Sequence, residues 1–232
     1  MLYQPLFNLL IWLYQIIPGQ DFGVAIILLT ILVRLLLYPL TIKVIKSQKR
    51  LNEVQIKIQE IRKKFKQDKE RQVKEIMAFY QGEKINPLSG LLPLLIQIIV
   101  LVAIFQVFTR GFGPEQMDYL YNFISAPEEI NLISFGVINL QEPSLAIALL
   151  TSVAQFFQSK MLAPKIKKNK EKDDQMARIS AIVQRQMLYF MPVFTVFLLL
   201  RLPSAIGLSW LVTALFSIGQ QHLILKNQNA KP

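Results

Sequence analysis

The stretch DFGVAIILLTILVRLLLYPLTIK (residues 21–43) decides the fold of this chain, because it is apolar over nearly its whole length. A membrane-spanning helix needs about 20 predominantly apolar residues, and this stretch supplies them. One charged residue, Arg34, lies in its middle. A charge at the centre of a span costs roughly 2.5–3.5 kcal/mol on insertion scales, and residues of this kind usually mark a functional site. Arg34 is therefore the first candidate functional residue.

The composition predicts an all-α, polytopic membrane protein. The chain has 232 residues, of which 53% are hydrophobic, and its mean hydropathy is +0.37. Its apolar residues form five segments that are predicted to cross the membrane: residues 20–42, 87–109, 143–163, 184–202 and 203–225. The apolar parts of the third and fourth, near residues 144–162 and 187–202, are short and carry polar residues, so each alone would also suit a buried or re-entrant helix. Their alternation with charged loops favours spanning.

The charges of the loops predict the orientation of these spans. Residues 43–85 hold 13 Lys or Arg and 6 Asp or Glu, and residues 160–186 hold 8 and 3. Residues 110–142 hold one Arg and five acids. Basic loops stay on the cytoplasmic side. We therefore expect an extracytoplasmic N-terminus and loop 110–142, and a cytoplasmic loop 164–183 and tail 226–232.

Two further helical elements are predicted outside the spans. Residues 1–19 contain no charged side chain before Pro18, and Gln4, Asn8 and Gln15 share one helical face, which predicts an amphipathic helix lying on the bilayer surface. Residues 43–86 have two apolar stripes of helical spacing around a polar turn, which predicts a cytoplasmic antiparallel helical hairpin. The stripes are Leu51, Val54, Ile58, Ile61 and Phe65, and then Val73, Ile76, Met77 and Tyr80. The alternative is a solvated, charged linker.

Polar side chains recur on one face of several predicted spans. Thr30, Tyr38 and Thr41 lie at i−4, i+4 and i+7 from Arg34, and are predicted to share its face. Other spans contribute Gln97; Thr151, Ser152, Gln155, Gln158 and Ser159; and Ser209, Thr213, Ser217 and Gln220. Polar faces are costly in lipid, so together they outline a polar cavity that contains Arg34. The alternative for any one of them is an ordinary interhelical hydrogen bond.

The surroundings of Arg34 predict a role in attracting a guest molecule. Apart from Asp21 at the start of the first, none of the five apolar segments contains Asp or Glu. Hydrogen bonds to Gln or to backbone carbonyl groups would make Arg34 purely structural. A hydrated guanidinium in an open groove would instead attract a negatively charged or polar guest. We expect the second arrangement.

Several function classes are excluded by missing residue types. The chain has no Cys and a single His, His222, which excludes disulfides, thiolate nucleophiles and histidine metal clusters. It has no phosphate-binding G-x-x-x-x-G-K-[ST] motif and no nucleophile paired with a base. We therefore predict a protein that is not an enzyme and needs no cofactor. The N-terminus resembles neither a signal peptide nor an organelle transit peptide, which favours a bacterial plasma membrane.

At this point the chain resembles the YidC/Oxa/Alb family of membrane protein insertases. The resemblance rests on Trp12 and an ordered series of motifs: AIILLTILVRLLLYPLTIK (25–43), INPLSGLLPLLIQ (85–97), QFFQSKM (155–161), QMLYFMPVFTVF (186–197) and GLSWLVTALFSIGQQ (207–221). Any one motif is weak, but the ordered set is specific and covers nearly the whole chain. Ser209 and Ala214 depart from the Tyr and Asn that are frequent there, which weakens the transfer of detailed groove chemistry.

The resemblance implies a five-helix core with a hydrated groove that opens to the cytoplasm and to lipid. Its implied lining residues are Arg34, Thr30, Tyr38, Gln97, Gln155, Trp210 and Thr213. The implied partners are nascent membrane proteins with short polar or acidic tails, inserted without ATP, and the lipid bilayer. The ribosome and the Sec translocon are further candidates, and no small-molecule substrate is expected.

Two other functions remain open from the residues alone. One is a small anion carrier or channel that uses Arg34 as its binding site, although such a protein does not need the hairpin. The other is an assembly scaffold that chaperones partner helices without moving any tail across the bilayer.

Overall fold

The computed structural model describes residues 3–86, 92–162 and 188–229, and this part of the chain is mostly helical. The helices are α1 Tyr3–Ile16, α2 Phe22–Leu36, α3 Tyr38–Glu53, α4 Gln55–Lys64, α5 Lys69–Gly82, α6 Leu92–Arg110, α7 Pro114–Met117, α8 Leu145–Leu162, α9 Leu188–Leu199 and α10 Ser204–Asn229. Two short strands, β1 Ile133–Ser134 and β2 Ile138–Asn139, pair antiparallel. They form a ribbon that the all-α prediction did not include.

The first apolar segment is bent rather than straight. The helix α2 ends at Leu36, and α3 leaves it at an angle of 67°. Pro39 lies in the first turn of α3, where its missing N–H is tolerated. The shared face of Arg34, Tyr38 and Thr41 stays a prediction, since Tyr38 and Thr41 lie beyond this bend.

One end of the bundle is organised by the ribbon and the loop around it. The Asp21 carboxylate accepts hydrogen bonds from Ser134 Oγ (2.6 Å) and Phe135 N (2.6 Å), which ties the start of α2 to β1. The start of α10 is tied to the same region through Ser204 N to Glu142 O (2.9 Å) and Ser204 Oγ to Asn139 O (2.6 Å). The helix α8 begins three residues after Glu142. The helices α2, α8 and α10 therefore run in the same direction from this end.

Helix α1 packs into the protein at this same end. Its apolar face is buried against α2 and α6, where Phe7, Tyr14, Phe22, Phe108 and Phe112 form an aromatic cluster with ring centroids 5.0–6.4 Å apart. Its polar face binds the loop: Asn8 donates to Tyr119 O (2.8 Å) and accepts from Tyr121 N (2.6 Å). Gln15 donates to Ser125 O. The polar face of α1 therefore binds loop backbone, and the position of this helix at the bilayer surface stays a prediction.

The chain between the first two apolar segments folds as a helical hairpin of α4 and α5. Gln72 Nε2 donates to Arg62 O (2.8 Å), and Lys57 Nζ lies 3.9 Å from Glu83, so the two helices are antiparallel. The first arm includes α3 and is interrupted at Val54. Ile58 is buried as expected. Val73 and Met77 are 60% and 51% exposed, so their predicted packing into the hairpin is wrong, and the buried side of α5 carries Gln72 instead.

Helix lengths support only part of the predicted five-span topology. Among the described residues, one helix, Ser204–Lys226, is long and apolar enough to cross a membrane alone, and the bent pair of α2 and α3 is a second candidate. The helix α10 continues to Asn229, so the predicted tail at 226–232 begins as helix. The predicted loop 164–183 and residues 87–91 and 184–187 lie outside the described residues.

Candidate functional site

The predicted polar faces of α2 and α10 meet inside the bundle. Thr30 Oγ1 donates to Ile26 O (2.7 Å) and lies 3.3 Å from Ser209 Oγ of α10. Because both helices run in the same direction from the ribbon, Arg34 and Thr213, each four residues further on, lie at about the same level. Arg34 is only 8% exposed and Thr213 only 3%. The four residues define a buried polar layer, called the α2–α10 polar layer below.

The remaining polar residues of α10 are also buried. Ser209, Thr213, Ser217 and Gln220 follow one face of the helix, and all four are covered by protein. Leu215 and Leu223 of the same helix are exposed. Buried polar residues together with exposed leucines differ from the pattern of a water-soluble surface helix, whose polar residues face solvent. Ile206, Leu208 and Ile224 of α10 are buried as well. Polar side chains that are turned inward while leucines are exposed are typical of helices embedded in lipid.

The polar residues of α8 form hydrogen bonds to the neighbouring helices α9 and α10. Thr151 Oγ1 lies 3.1 Å from Gly207 O of α10, and Ser152 Oγ donates to Pro192 O of α9 (2.9 Å). Gln155 Oε1 accepts a hydrogen bond from the buried hydroxyl of Thr195, also on α9. Thr151, Ser152 and Gln155 therefore make the interhelical hydrogen bonds that were the alternative to a groove lining.

Thr195 was not identified from the sequence. It is fully buried and connects α9 to α8 through Gln155. The signal was present, since Thr195 is the only polar residue in MPVFTVFLLL (191–200). A lone hydroxyl in an apolar helix can bond to its own backbone, as Thr195 also does to Met191 O (2.9 Å), so its partner on α8 was not evident.

Some buried polar atoms of α10 have no hydrogen-bond partner within the described part of the chain. They are Thr213 Oγ1, both amide atoms of Gln220, and Gln221 Oε1. Leaving a buried polar group unsatisfied costs about 1–3 kcal/mol. Such groups in a folded protein therefore need a specific explanation, such as ordered water or a ligand.

The other predicted site residues are distributed as follows. Arg34 is buried rather than set in an open, hydrated groove, which differs from the expectation. Tyr38 is half-buried beyond the bend, and Trp210 is half-buried against the apolar core. Gln97 lies in α6, but its side chain is outside the described residues. The structure thus brings Arg34, Thr30 and Thr213 together and places Gln155 in the separate contact between α8 and α9.

These features define a class of protein: a helical membrane protein with a buried polar and cationic layer and an apolar exterior. Comparison with known proteins gives the family. The model of the family described as "60Kd inner membrane protein" matches residues 12–231. The chain belongs to this family, the YidC/Oxa/Alb membrane protein insertases, as the sequence motifs indicated. The prediction of a non-enzymatic protein agrees with this membership.

Individual relatives agree with the family assignment. The chain is 29% identical over 206 residues to the membrane protein insertase YidC of Fusobacterium nucleatum, covering 89% of this chain and 87% of that protein. It is 32% identical to YidC of Haemophilus influenzae and 34% identical to YidC of Actinobacillus pleuropneumoniae, over 96% and 98% of this chain. It spans only 37% of the length of each of these two relatives.

Proposed function

We propose that this chain inserts small membrane proteins into the bacterial inner membrane. Its relatives are named membrane protein insertases, which supports the proposal. The observation that carries the proposal is the α2–α10 polar layer: a buried cation and buried hydroxyl groups lie under an apolar exterior. Polar groups at such depth are costly, and proteins that keep them generally use them on a polar substrate path. Family membership supports the same function.

We further propose five membrane spans with the N-terminus outside and the C-terminus inside. The shared direction of α2, α8 and α10, together with the position of the end of α6 beside Phe22, supports alternating spans. Exposed leucines on α2, α8 and α10 support contact with lipid. In this arrangement the ribbon and α1 close the outer side, and the hairpin lies in the cytoplasm.

The polar layer would act on the hydrophilic tail of a substrate. Moving polar groups through hydrocarbon is opposed by their desolvation. The Arg34 guanidinium would attract an acidic tail, and the unsatisfied atoms of Thr213 and Gln220 would hold water or bond to the tail's backbone. Because Arg34 is covered in this state, a tail reaches it only after the covering side chains move. Insertion would be driven by burial of the substrate's own apolar span, without ATP.

The length of α2 would also help a tail to cross. Its 15 residues extend about 22 Å, which is shorter than the roughly 30 Å of a typical hydrocarbon core. A short apolar helix is accommodated partly by local thinning of the bilayer. Thinning beside Arg34 would shorten the distance over which a tail must lose its water.

The test is insertion of a short, acidic-tailed single-span protein into vesicles with and without the purified chain. We expect the chain to raise the fraction of substrate whose tail is protected from external protease. Equal protection in protein-free vesicles would contradict the proposal. Binding of the substrate to this chain without protection of the substrate's tail from protease would indicate the assembly scaffold. Saturable chloride or phosphate flux without insertion would indicate the anion carrier.

The substrates of this chain are proposed to be nascent membrane proteins with short polar or acidic tails. The ribosome and the Sec translocon are proposed as further partners, through the cytoplasmic hairpin. Val73 and Met77 are exposed apolar side chains on α5, which supports use of that face in contacts outside this chain.

A further inference from the structure

A basic cavity lies where α3 meets the chain segment that follows α5. Its volume is about 600 Å³. The charged residues that line it are five cations and one acid among the described residues: Lys43, Lys46, Lys49, Arg50, Lys84 and Glu53. The volume falls within the roughly 300–1,000 Å³ of small-molecule sites, so the cavity suits more than a single small ion.

The cations of α3 lie on one side of the helix. Lys43, Lys46 and Arg50 are spaced by three and four residues, and all three are exposed. Val44 and Ile45 on the other side are buried. The helix therefore packs through its apolar side and presents a concentrated positive charge to the cavity, where the field favours an anion.

Lys84, which follows the end of α5, also lines the cavity, and its backbone conformation is unusual. Its φ angle is +54°, in the left-handed region that L side chains rarely adopt. Hydrogen bonds from Lys84 N to Gln81 O (3.1 Å) and from Ile85 N to Tyr80 O (2.9 Å) close this turn. Glycine is the usual residue at such a position after a helix. Here a lysine occupies it, and its charge is added to the cavity.

The residues before α3 indicate which anion reaches the cavity. Leu36 is 79% exposed, and Leu35 and Leu40 are also exposed, immediately before the first cation of the cavity. An apolar surface followed directly by lysines is the pattern of the boundary between acyl chains and headgroups. The 67° bend turns α3 away from α2 at this point. A helix that leaves a span at this angle runs close to the plane of the membrane.

From these observations we propose that the cavity binds the phosphate headgroup of an anionic phospholipid. The cations of α3 and Lys84 hold the phosphate from two sides, while the acyl chains lie against the exposed leucines at the bend. The lipid would fix the hairpin relative to the spans. This site is separate from Arg34, although it rests on the proposed placement of α2 in the membrane.

The test measures binding of dioctanoyl phosphatidylglycerol and dioctanoyl phosphatidylcholine to the purified full chain by native mass spectrometry. The wild type is expected to prefer phosphatidylglycerol. The double variant Lys46→Gln/Arg50→Gln is expected to lose about 25-fold in affinity for it, since each cation near an anionic lipid contributes about fivefold. The matched control, Lys66→Gln/Lys74→Gln, makes the same charge change at exposed positions of the hairpin and is expected to keep the preference.

A second variant separates binding from folding. Lys84→Gly removes one cation but relieves the left-handed backbone, so it is expected to be at least as stable as the wild type and to bind about fivefold more weakly. Equal binding of the two lipids by the wild type would overturn the proposal. An equal loss of phosphatidylglycerol affinity in Lys66→Gln/Lys74→Gln and in Lys46→Gln/Arg50→Gln would overturn it as well. So would displacement of the lipid by equimolar inorganic phosphate, which would indicate a free anion as the ligand.

Two further outcomes keep this site apart from other functions. Tight binding of a 20-nucleotide RNA that is lost in Lys46→Gln/Arg50→Gln, without any lipid preference, would assign the cavity to nucleic acid and overturn the proposal. Retention of the lipid preference in an Arg34→Ala variant is expected whether or not that variant inserts substrates. Failure of the proposed insertase function would therefore be distinguishable from failure of the lipid site.

Discussion

An Arg34→Ala variant is expected to insert an acidic-tailed substrate about tenfold more slowly than the wild type, a loss of ~1.4 kcal/mol. Two unit charges 4 Å apart contribute about 4 kcal/mol at an effective dielectric constant of 20, and hydration of the tail removes part of this. A substrate with a neutral tail is expected to be much less affected. The measurement is the initial rate of tail protection in vesicles that contain equal amounts of each variant.

The controls for Arg34 address charge and packing separately. Arg34→Lys keeps the charge in a smaller group and is expected to retain most of the acidic-tail activity. Arg34→Ala leaves space in a buried layer, so thermal unfolding of each variant must be compared. An equal loss for acidic and neutral tails would show that Arg34 acts through packing. If neither substrate were inserted more slowly, Arg34 would have no electrostatic role, although the rest of the polar layer could still act on the tail.

Gly23→Ala is expected to destabilise the end of the bundle that carries the ribbon by about 1–3 kcal/mol, the range for overpacking. A Cβ at Gly23 would lie 1.9 Å from Ser134 Oγ and 2.7 Å from Ser134 Cβ. Ser134 is buried, and its hydroxyl donates to Asp21, so it has little room to move. The ribbon would have to separate from α2. The measurement is the thermal unfolding temperature in detergent.

Two other glycines provide a graded control for this change. A Cβ at Gly207 would lie 2.8 Å from the Ile147 Cγ2 methyl group, which belongs to a buried β-branched side chain with little freedom to move. A loss of stability is therefore expected there too, but a smaller one than at Gly23, where the approach is 1.9 Å. A Cβ at Gly219 meets nothing within 4 Å, and alanine there is expected to be neutral or stabilising through helix propensity. A Gly23→Ala protein as stable as Gly219→Ala would contradict the described contact between α2 and the ribbon.

The sequence predicted which polar residues of α2 and α10 face the interior, because helical periodicity depends only on spacing along the chain. Thr30 and Arg34 are one turn apart, as are Ser209 and Thr213, and their burial follows from placing these faces inward. Periodicity does not say how closely the helices pack. The open groove was expected from the lack of acidic residues near Arg34 and from the family resemblance, whereas Arg34 is covered and Gln155 accepts a hydrogen bond from Thr195.

Sequence patterns were least informative where the interaction partners of a residue come from distant parts of the chain, or where a helix changes direction. The polar face of α1 was expected at the bilayer surface. In the structure, Asn8 on this face binds the backbone of Tyr119 and Tyr121, which lie more than 110 residues away in the sequence. Pro39 was present in the sequence, but the same sequence pattern fits a proline that kinks one continuous span and a proline in the first turn of a new helix. In the hairpin, Gln72 is buried and Val73 is exposed, because α4 and α5 pack in a register that their composition does not specify.

Photocrosslinking from position 213 to the hydrophilic tail of an inserting substrate tests whether the α2–α10 polar layer lies on the substrate path. Position 213 is buried in the α2–α10 polar layer, and its replacement by a photoreactive residue leaves Arg34 intact. Position 215 on the same helix is exposed and serves as the matched control. We expect crosslinks to the tail from position 213 during insertion and few from position 215. Insertion with no tail crosslink from 213, or with equal yields from both positions, would contradict this role of the polar layer.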